Sequence, residues 1–178
     1  MILLDDIQTW VNRARTDDLS ALLTESDRHF ICALSDEQLE SRIRKFFSSP
    51  VEKDPLTGDY GAIYRWFFAS KWKDALLAIQ PDAPMKLYEV APGANDIIPK
   101  TVAGLYTHDE TAYITSNVDK TLTEKFRKKT GDLPIRIEII EDIAQNIESS
   151  IDKPYFDTVV FEHSVNDVLY AILPENLD

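Results

Sequence analysis

The sequence predicts an α/β fold, a helical first part followed by a parallel sheet with flanking helices. Three observations carry this. Up to about residue 80, apolar residues recur with the helical period. After Pro84, short β-rich runs alternate with helix-length stretches, the pattern of strands joined by right-handed crossovers. Between the two regimes stands Gln80-Pro-Asp-Ala-Pro84, which breaks both patterns. The division expected is a helical region or cap over 1–80 and a sheet domain over 85–178. A chain of 178 residues buries about 70% of its unfolded surface and needs neither disulfide nor metal to fold.

The elements follow in order. Leu3, Leu4, Ile7, Trp10, Val11 and Ala14 keep the 3.6 period of a first helix. Thr16 is placed to cap a short helix through Leu23. Ser35-Asp-Glu-Gln38 is a capping box, with Gln38 reaching back to the backbone of Ser35. The helix it opens carries Leu39, Ile43, Phe46 and Phe47 and ends near Ser48-Ser49-Pro50. Two prolines and a glycine make 50–58 a loop. A helix from about Tyr60 to Ile79 then carries Tyr60, Tyr64, Trp66, Phe67, Phe68 and Trp72, which read chiefly as core.

Past Pro84, Met85–Ala91 reads as a buried strand and Pro92-Gly93-Ala94-Asn95 as a turn. Ile97–Tyr106 is a short helix whose Pro99 falls in the first turn, where its missing N–H is harmless. Thr111–Asn117 is a second strand. Thr121-Leu-Thr-Glu124 is another capping box, and Gly131 terminates its helix. Pro134–Ile140 is the third strand, followed by a helical stretch from Asp142 to Ser150. Phe156–Phe161 is the fourth, and Ser164–Ile172 a last helix.

Charge narrows the partners. The net charge is −12, and from Glu138 to Asp178 ten acids face one base, Lys153. Nucleic-acid and anionic-membrane binding run on Lys and Arg, so neither is expected. Cys32 stands alone, which excludes an internal disulfide and argues against a thiolate metal site. Its run His29-Phe-Ile-Cys-Ala-Leu34 predicts a buried structural thiol. No metal is expected. Without a basic leader or a long apolar stretch, the chain reads as cytoplasmic.

In open α/β sheets, ligands bind beyond the carboxyl ends of the strands. The residues just after each predicted strand are therefore the candidates: Glu89–Asn95, Asn117–Asp119, Glu141–Ile143 and Glu162–Asp167. All four sets are polar or flexible. Asp119 and Asp142 also suit helix N-caps. His163 is the histidine at a predicted strand end, suited to proton transfer near neutral pH.

From Met85 to about Leu173 this arrangement resembles the class I S-adenosylmethionine-dependent methyltransferases. The resemblance rests on Glu89-Val-Ala-Pro-Gly-Ala-Asn95, an acid at a strand end followed by a turn. Glu89 matches the family's acidic position and Gly93 its middle glycine. Ala91 and Asn95 stand where further glycines are common, and Asn95 is expected to preserve the turn because Asn tolerates positive φ. The resemblance implies a Rossmann-like sheet in the order 3-2-1-4 and S-adenosylmethionine as cofactor. It implies that Asn117 or Asp119 holds the ribose. Glu141 or Asp142 would then read the adenine amine, and Ile143 would touch the ring. Tyr60, Tyr64 and Arg65 would cover the cofactor, Arg65 pairing with its carboxylate. His163 or Glu162 would serve as the base, and the acceptor would be a small molecule.

Two other classes compete. Depleted glycines favour a non-catalytic, methyltransferase-like binding or assembly module. A dinucleotide dehydrogenase lacks G-x-G-x-x-G, and a P-loop enzyme lacks its Lys-Ser/Thr signature. The implied sheet is also partial, lacking the C-terminal part of the fold. The fourth strand would then be a long apolar edge. Either the chain is part of a longer protein, or the edge is covered by the N-terminal helices or by a second copy in a homodimer.

Overall fold

The computed structural model describes residues 7–16, 22–48, 58–79, 84–147 and 156–161. The chain divides into two compact units, Met1–Ile79 and Gln80–Asp178.

The first unit is helical: α1 (Ile7–Thr16), α2 (Glu25–Ala33), α3 (Asp36–Ser48) and α4 (Gly58–Ile79). On α1, Ile7, Trp10 and Val11 are buried, the face that the period marks out. The capping box of α3 forms as read. Gln38 Oε1 accepts from the Ser35 N–H at 2.9 Å, and Ser35 Oγ accepts from the Gln38 N–H at 3.3 Å. Aromatic rings of α1, α3 and α4 fill the core. Trp10 meets Trp66 edge-on with centroids 5.7 Å apart, and Phe47 meets Phe67 at 5.0 Å. Such pairs add about 0.5–1.5 kcal/mol each beyond the area they bury.

Helix α2 is an element that the apolar run concealed. Thr24 caps it, its side chain accepting from the Asp27 N–H at 3.2 Å. Cys32 is consequently exposed, correcting the buried thiol expected of it. A helix turns 100° per residue, so Asp27 and Ile31 share the inward face while Cys32 is carried off it. Of the short helix read from Thr16 through Leu23, Thr16 is instead the last residue of α1 and Leu22 and Leu23 lie in a turn; 17–21 lie outside the described residues, as do the loop over 51–57 and the segment before Ile7.

The second unit is an α/β layer structure. It contains β1 (Lys86–Val90), α5 (Ile97–Leu105), β2 (Ala112–Ser116), α6 (Lys120–Thr130), β3 (Arg136–Ile140) and β4 (Thr158–Val160). The four strands form one all-parallel sheet in the order β3-β2-β1-β4, a partial Rossmann-like arrangement. Side chains alternate between its faces. One face joins Tyr88, Val90, Ala112, Ile114 and Ile140, with Ala144, Ile147 and Phe156 packed on them. On the other face lie Leu87, Glu89, Tyr113 and Thr115, all buried, and Tyr113 stacks on Phe126 of α6. β4 has three residues where six were read, so the long apolar edge expected of it is a short one. After β3, Asp142–Ser150 begins as a 3-10 turn over Ala144–Asn146, and 148–150 lie outside the described residues. The last helix read from Ser164 lies outside them too. No helix among the described residues is long and apolar enough to cross a membrane.

Candidate functional site

Register sets the level at which the loops leave the sheet. Val90 pairs with Ser116, and Ser116 with Ile140, so β1, β2 and β3 end in one row. Glu89 pairs with Val160, which brings the end of β4 to the same rim. The strand order reverses between β1 and β4, the crevice where such sheets hold ligands.

The turn after β1 is the most constrained part of that rim. Ala91 has φ 50° and Gly93 φ 61°, the positive-φ positions among the described residues. Left-handed backbone costs an L-residue roughly 1–2 kcal/mol and glycine nothing comparable. At Gly93 conformation and not space demands glycine, since an added Cβ would meet Leu122 Cδ1 at an ordinary 3.6 Å. Asn95 does not adopt the positive φ expected of it. Its Oδ1 accepts from the Ile97 N–H at 3.1 Å, an Asx turn at the mouth of α5. The strain is carried instead by Ala91.

Neighbouring side chains pin the turn. Asn117, 6% exposed, donates Nδ2 to the Gly93 carbonyl at 2.9 Å, and its own N–H donates to the Ile140 carbonyl at 2.9 Å. Lys129 Nζ donates to the Ala94 carbonyl at 2.8 Å. The buried Asp96 carboxylate pairs with Lys100 and lies 3.9 Å from Lys129. Beneath the turn Glu89 is 1% exposed and accepts from the Tyr113 hydroxyl, while Thr115 Oγ1 donates to the Glu89 carbonyl at 2.8 Å. Glu89 is therefore buried beneath the loop and does not line its outer surface. On the other face Tyr88 shares a 2.6 Å hydrogen bond with Ser116 Oγ. Burial raises its hydroxyl above the usual tyrosine value, more than that bond lowers it.

The remaining acids have protein partners. Asp119 caps α6, Oδ1 accepting from the Leu122 N–H at 2.9 Å, so the helix starts one residue before the predicted capping box. Glu141 pairs with Arg127, whose guanidinium also holds Glu124; these bonds raise the Arg127 pKa. Asp142 Oδ1 accepts from the Ile143 N–H at 2.7 Å, and both its oxygens accept from Asn146 Nδ2. Ile143 is 46% exposed, an apolar side chain open at the rim.

The structure thus gathers Ala91–Asp96, Asn117–Asp119 and Glu141–Ile143 at one edge. Glu162 and His163 lie outside the described residues, and so does the side chain of Tyr60. Tyr64 and Arg65 belong to the first unit. Tyr64 packs on Phe68 with centroids 4.4 Å apart. Arg65 holds the buried Asp27 with two bonds of 2.6–2.7 Å, a partner its sequence context did not suggest. Lys129, Tyr113 and Thr115 were not singled out by the sequence reading. The basic run Arg127-Lys-Lys129 was the visible signal for the first, and strand alternation for the other two.

No protein-family model and no curated protein matches the chain. Among solved structures, a crystal structure of coclaurine N-methyltransferase bound to N-methylheliamine and SAH is similar at 11% identity and a TM-score of 0.36. The similarity covers 90% of this chain and 49% of that one, so the chain spans about half that protein's length.

Proposed function

We propose that the second unit is an S-adenosylmethionine-binding domain of methyltransferase type, serving a small-molecule acceptor. One observation carries the reading: a turn with left-handed backbone at Ala91 and Gly93 follows a strand whose penultimate residue is the buried Glu89, at the switch point of a 3-2-1-4 sheet. A backbone without bulky side chains at that point lets a ligand approach the main chain closely. The residues fit the cofactor in part. The turn offers that approach, Ile143 offers an apolar surface to a ring, and Asp119 keeps Oδ2 clear of hydrogen bonds among the described residues. When bound, S-adenosylmethionine would supply an electrophilic methyl group: a lone pair of the acceptor would bond to that carbon in line as the carbon–sulfur bond breaks, the sulfonium leaving as the neutral thioether S-adenosylhomocysteine.

The chain's own contribution is then positioning and exclusion of water. Asn117 fixes the turn, Asp119 would hold the ribose hydroxyls, and Glu141 or Asp142 would meet the adenine amine. Glu162 and His163, following β4, are the candidates to accept the proton of the acceptor. Arg65 is committed to Asp27 and is left out of the cofactor's carboxylate site.

A second reading, a binding or assembly module without catalysis, is favoured by one specific feature. Asp119, Glu141 and Asp142 all hold protein groups. Thermal melts with S-adenosylmethionine and S-adenosylhomocysteine test the proposal. Ligand at 100 times its dissociation constant adds about 2.7 kcal/mol, a readily visible shift. A folded sample that shifts with neither ligand overturns the cofactor reading. Binding of both without methyl transfer to any of a panel of small nucleophiles favours the second reading.

A further inference from the structure

We infer that the chain pairs with a second copy of itself along β3, the two strands running antiparallel about a two-fold axis at Ile137. Four observations lead there.

Among the described residues, β3 pairs with β2 and with no strand on its other side. The Arg136 N–H donates to the Thr111 carbonyl and the Ile140 carbonyl accepts from Asn117, so the even-numbered residues of β3 turn their backbone toward β2. Alternation then turns the N–H and C=O groups of Ile135, Ile137 and Ile139 toward the free edge. Second, these same three isoleucines line a groove of about 370 Å³ with Arg127, Thr130, Gly131 and Leu133. Isoleucine side chains and backbone groups with no strand partner among the described residues thus share one edge.

The third observation is charge. Arg136 and Glu138 flank Ile137 on the opposite face, paired with each other at 2.7 Å in the single chain, with side chains 72% and 33% exposed; in a dimer each would exchange that partner for its counterpart in the second copy. A two-fold axis at Ile137 sets Arg136 opposite the partner's Glu138, and Glu138 opposite the partner's Arg136. It sets Ile137 opposite its own copy and Ile135 opposite the partner's Ile139. Directly opposed unlike charges and β-branched pairs each add roughly 0.2–1 kcal/mol. Finally, parity agrees. The outward backbones of Ile135, Ile137 and Ile139 become hydrogen-bonded pairs, giving about six inter-chain bonds. Arg136 and Glu138 fall on the non-hydrogen-bonded pair, where side chains come closest.

Neighbouring registers do worse. An axis at Ile135 sets Glu138 opposite the partner's Asp132. One at Ile139 sets Ile137 opposite Glu141, a carboxylate in the apolar row. Edge charges of one sign would repel a second copy, the usual protection of a strand edge; the Arg-Ile-Glu alternation is instead complementary to its own reverse.

Light scattering after size exclusion, over a range of protein concentrations, tests this. The unaltered chain should approach twice the single-chain mass, and R136E or E138R should weaken that association at least tenfold. Mixing R136E with E138R should restore it, because each like-charge pair becomes an unlike one. R136E/E138R should dimerise with itself, and a tagged form should fail to capture the unaltered chain. The inference is overturned by a single-chain mass at every concentration, as when the chain's own segments cover β3. Undiminished dimers of folded single variants overturn it as well, since pairing would then use another surface. Should the single variants not fold, the self-association and partner exclusion of the double variant decide.

Discussion

Ala91 holds a left-handed backbone at the start of the loop where ligand is expected. Replacing alanine by glycine ordinarily destabilises by about 0.5–1 kcal/mol, through the freedom gained by the unfolded chain. At φ 50° the relief of strain opposes that loss, so Ala91→Gly should leave stability level or raise it by up to about 1 kcal/mol, read by urea denaturation. A loss of the ordinary size would show that Ala91 is unstrained. Asn117 is the opposite case, a residue whose side chain is spent on its neighbour's main chain. Asn117→Ala should cost about 1–2 kcal/mol by leaving the Gly93 carbonyl without its donor. In the first unit, Arg65→Ala removes the guanidinium that pairs with the buried carboxylate of Asp27 and should cost about 3 kcal/mol. The leucine-type replacement of both partners should be far milder, and denaturant midpoints of the single and double variants compare the two directly. The sequence showed that residues 89–95 form a turn at a strand end, because acid, proline and glycine there have local meaning. It did not show which position bears the strain. That depends on Asn117, 24 residues away, and on Ile140 beyond it.

Elements were legible where their signals were local. The α3 capping box formed as read, because Ser35 and Gln38 need only each other. Helix α2 went unread although Thr24 and Asp27 carry a start signal, because the apolar run from His29 masked a helix with one narrow buried face. For α6, both Asp119 and Thr121 qualify as starts, and the competition is settled by Asp119 reaching the Leu122 N–H. Asp119 therefore offers a discriminating pair of variants. Asp119→Ala should lose about 1 kcal/mol of stability with the cap. Asp119→Asn keeps an oxygen for the cap and should hold most of it, yet lose affinity for S-adenosylmethionine if the carboxylate meets the ribose. Thermal melts give the first quantity and calorimetric titration the second. Equal affinity for the unaltered chain and Asp119→Asn would confine that residue to capping. The β4 edge is shorter than its sequence suggests: Phe156, Val159, Val160 and Phe161 make the segment β-rich, but only Thr158–Val160 align with β1.

At the scale of the whole molecule, the parallel sheet was legible from the alternation of strand and helix patterns, since such steps have one favoured hand, whereas its order came only with the family resemblance. The division at residue 79 lies close to the break in pattern at Gln80. What could not be read is the set of partners across elements, such as Asp27 with Arg65 or Tyr113 with Glu89. Two buried tyrosines make alkaline pH a test of the second unit. Burial raises both Tyr88 and Tyr106 above the usual tyrosine value. A raised folded pKa means that the neutral form is favoured on folding. The associated stability is present below about pH 10 and is lost as pH rises through the folded values. Absorbance titration should show a lagging fraction of the seven tyrosines, and Tyr88→Phe should shrink it. The chained rim has a thermodynamic consequence of its own. Ile140 holds Asn117 and Asn117 holds Gly93, so three loops are already ordered before anything binds. A ligand entering there should meet little entropic opposition from the main chain, and its binding heat should report new contacts more than loop ordering.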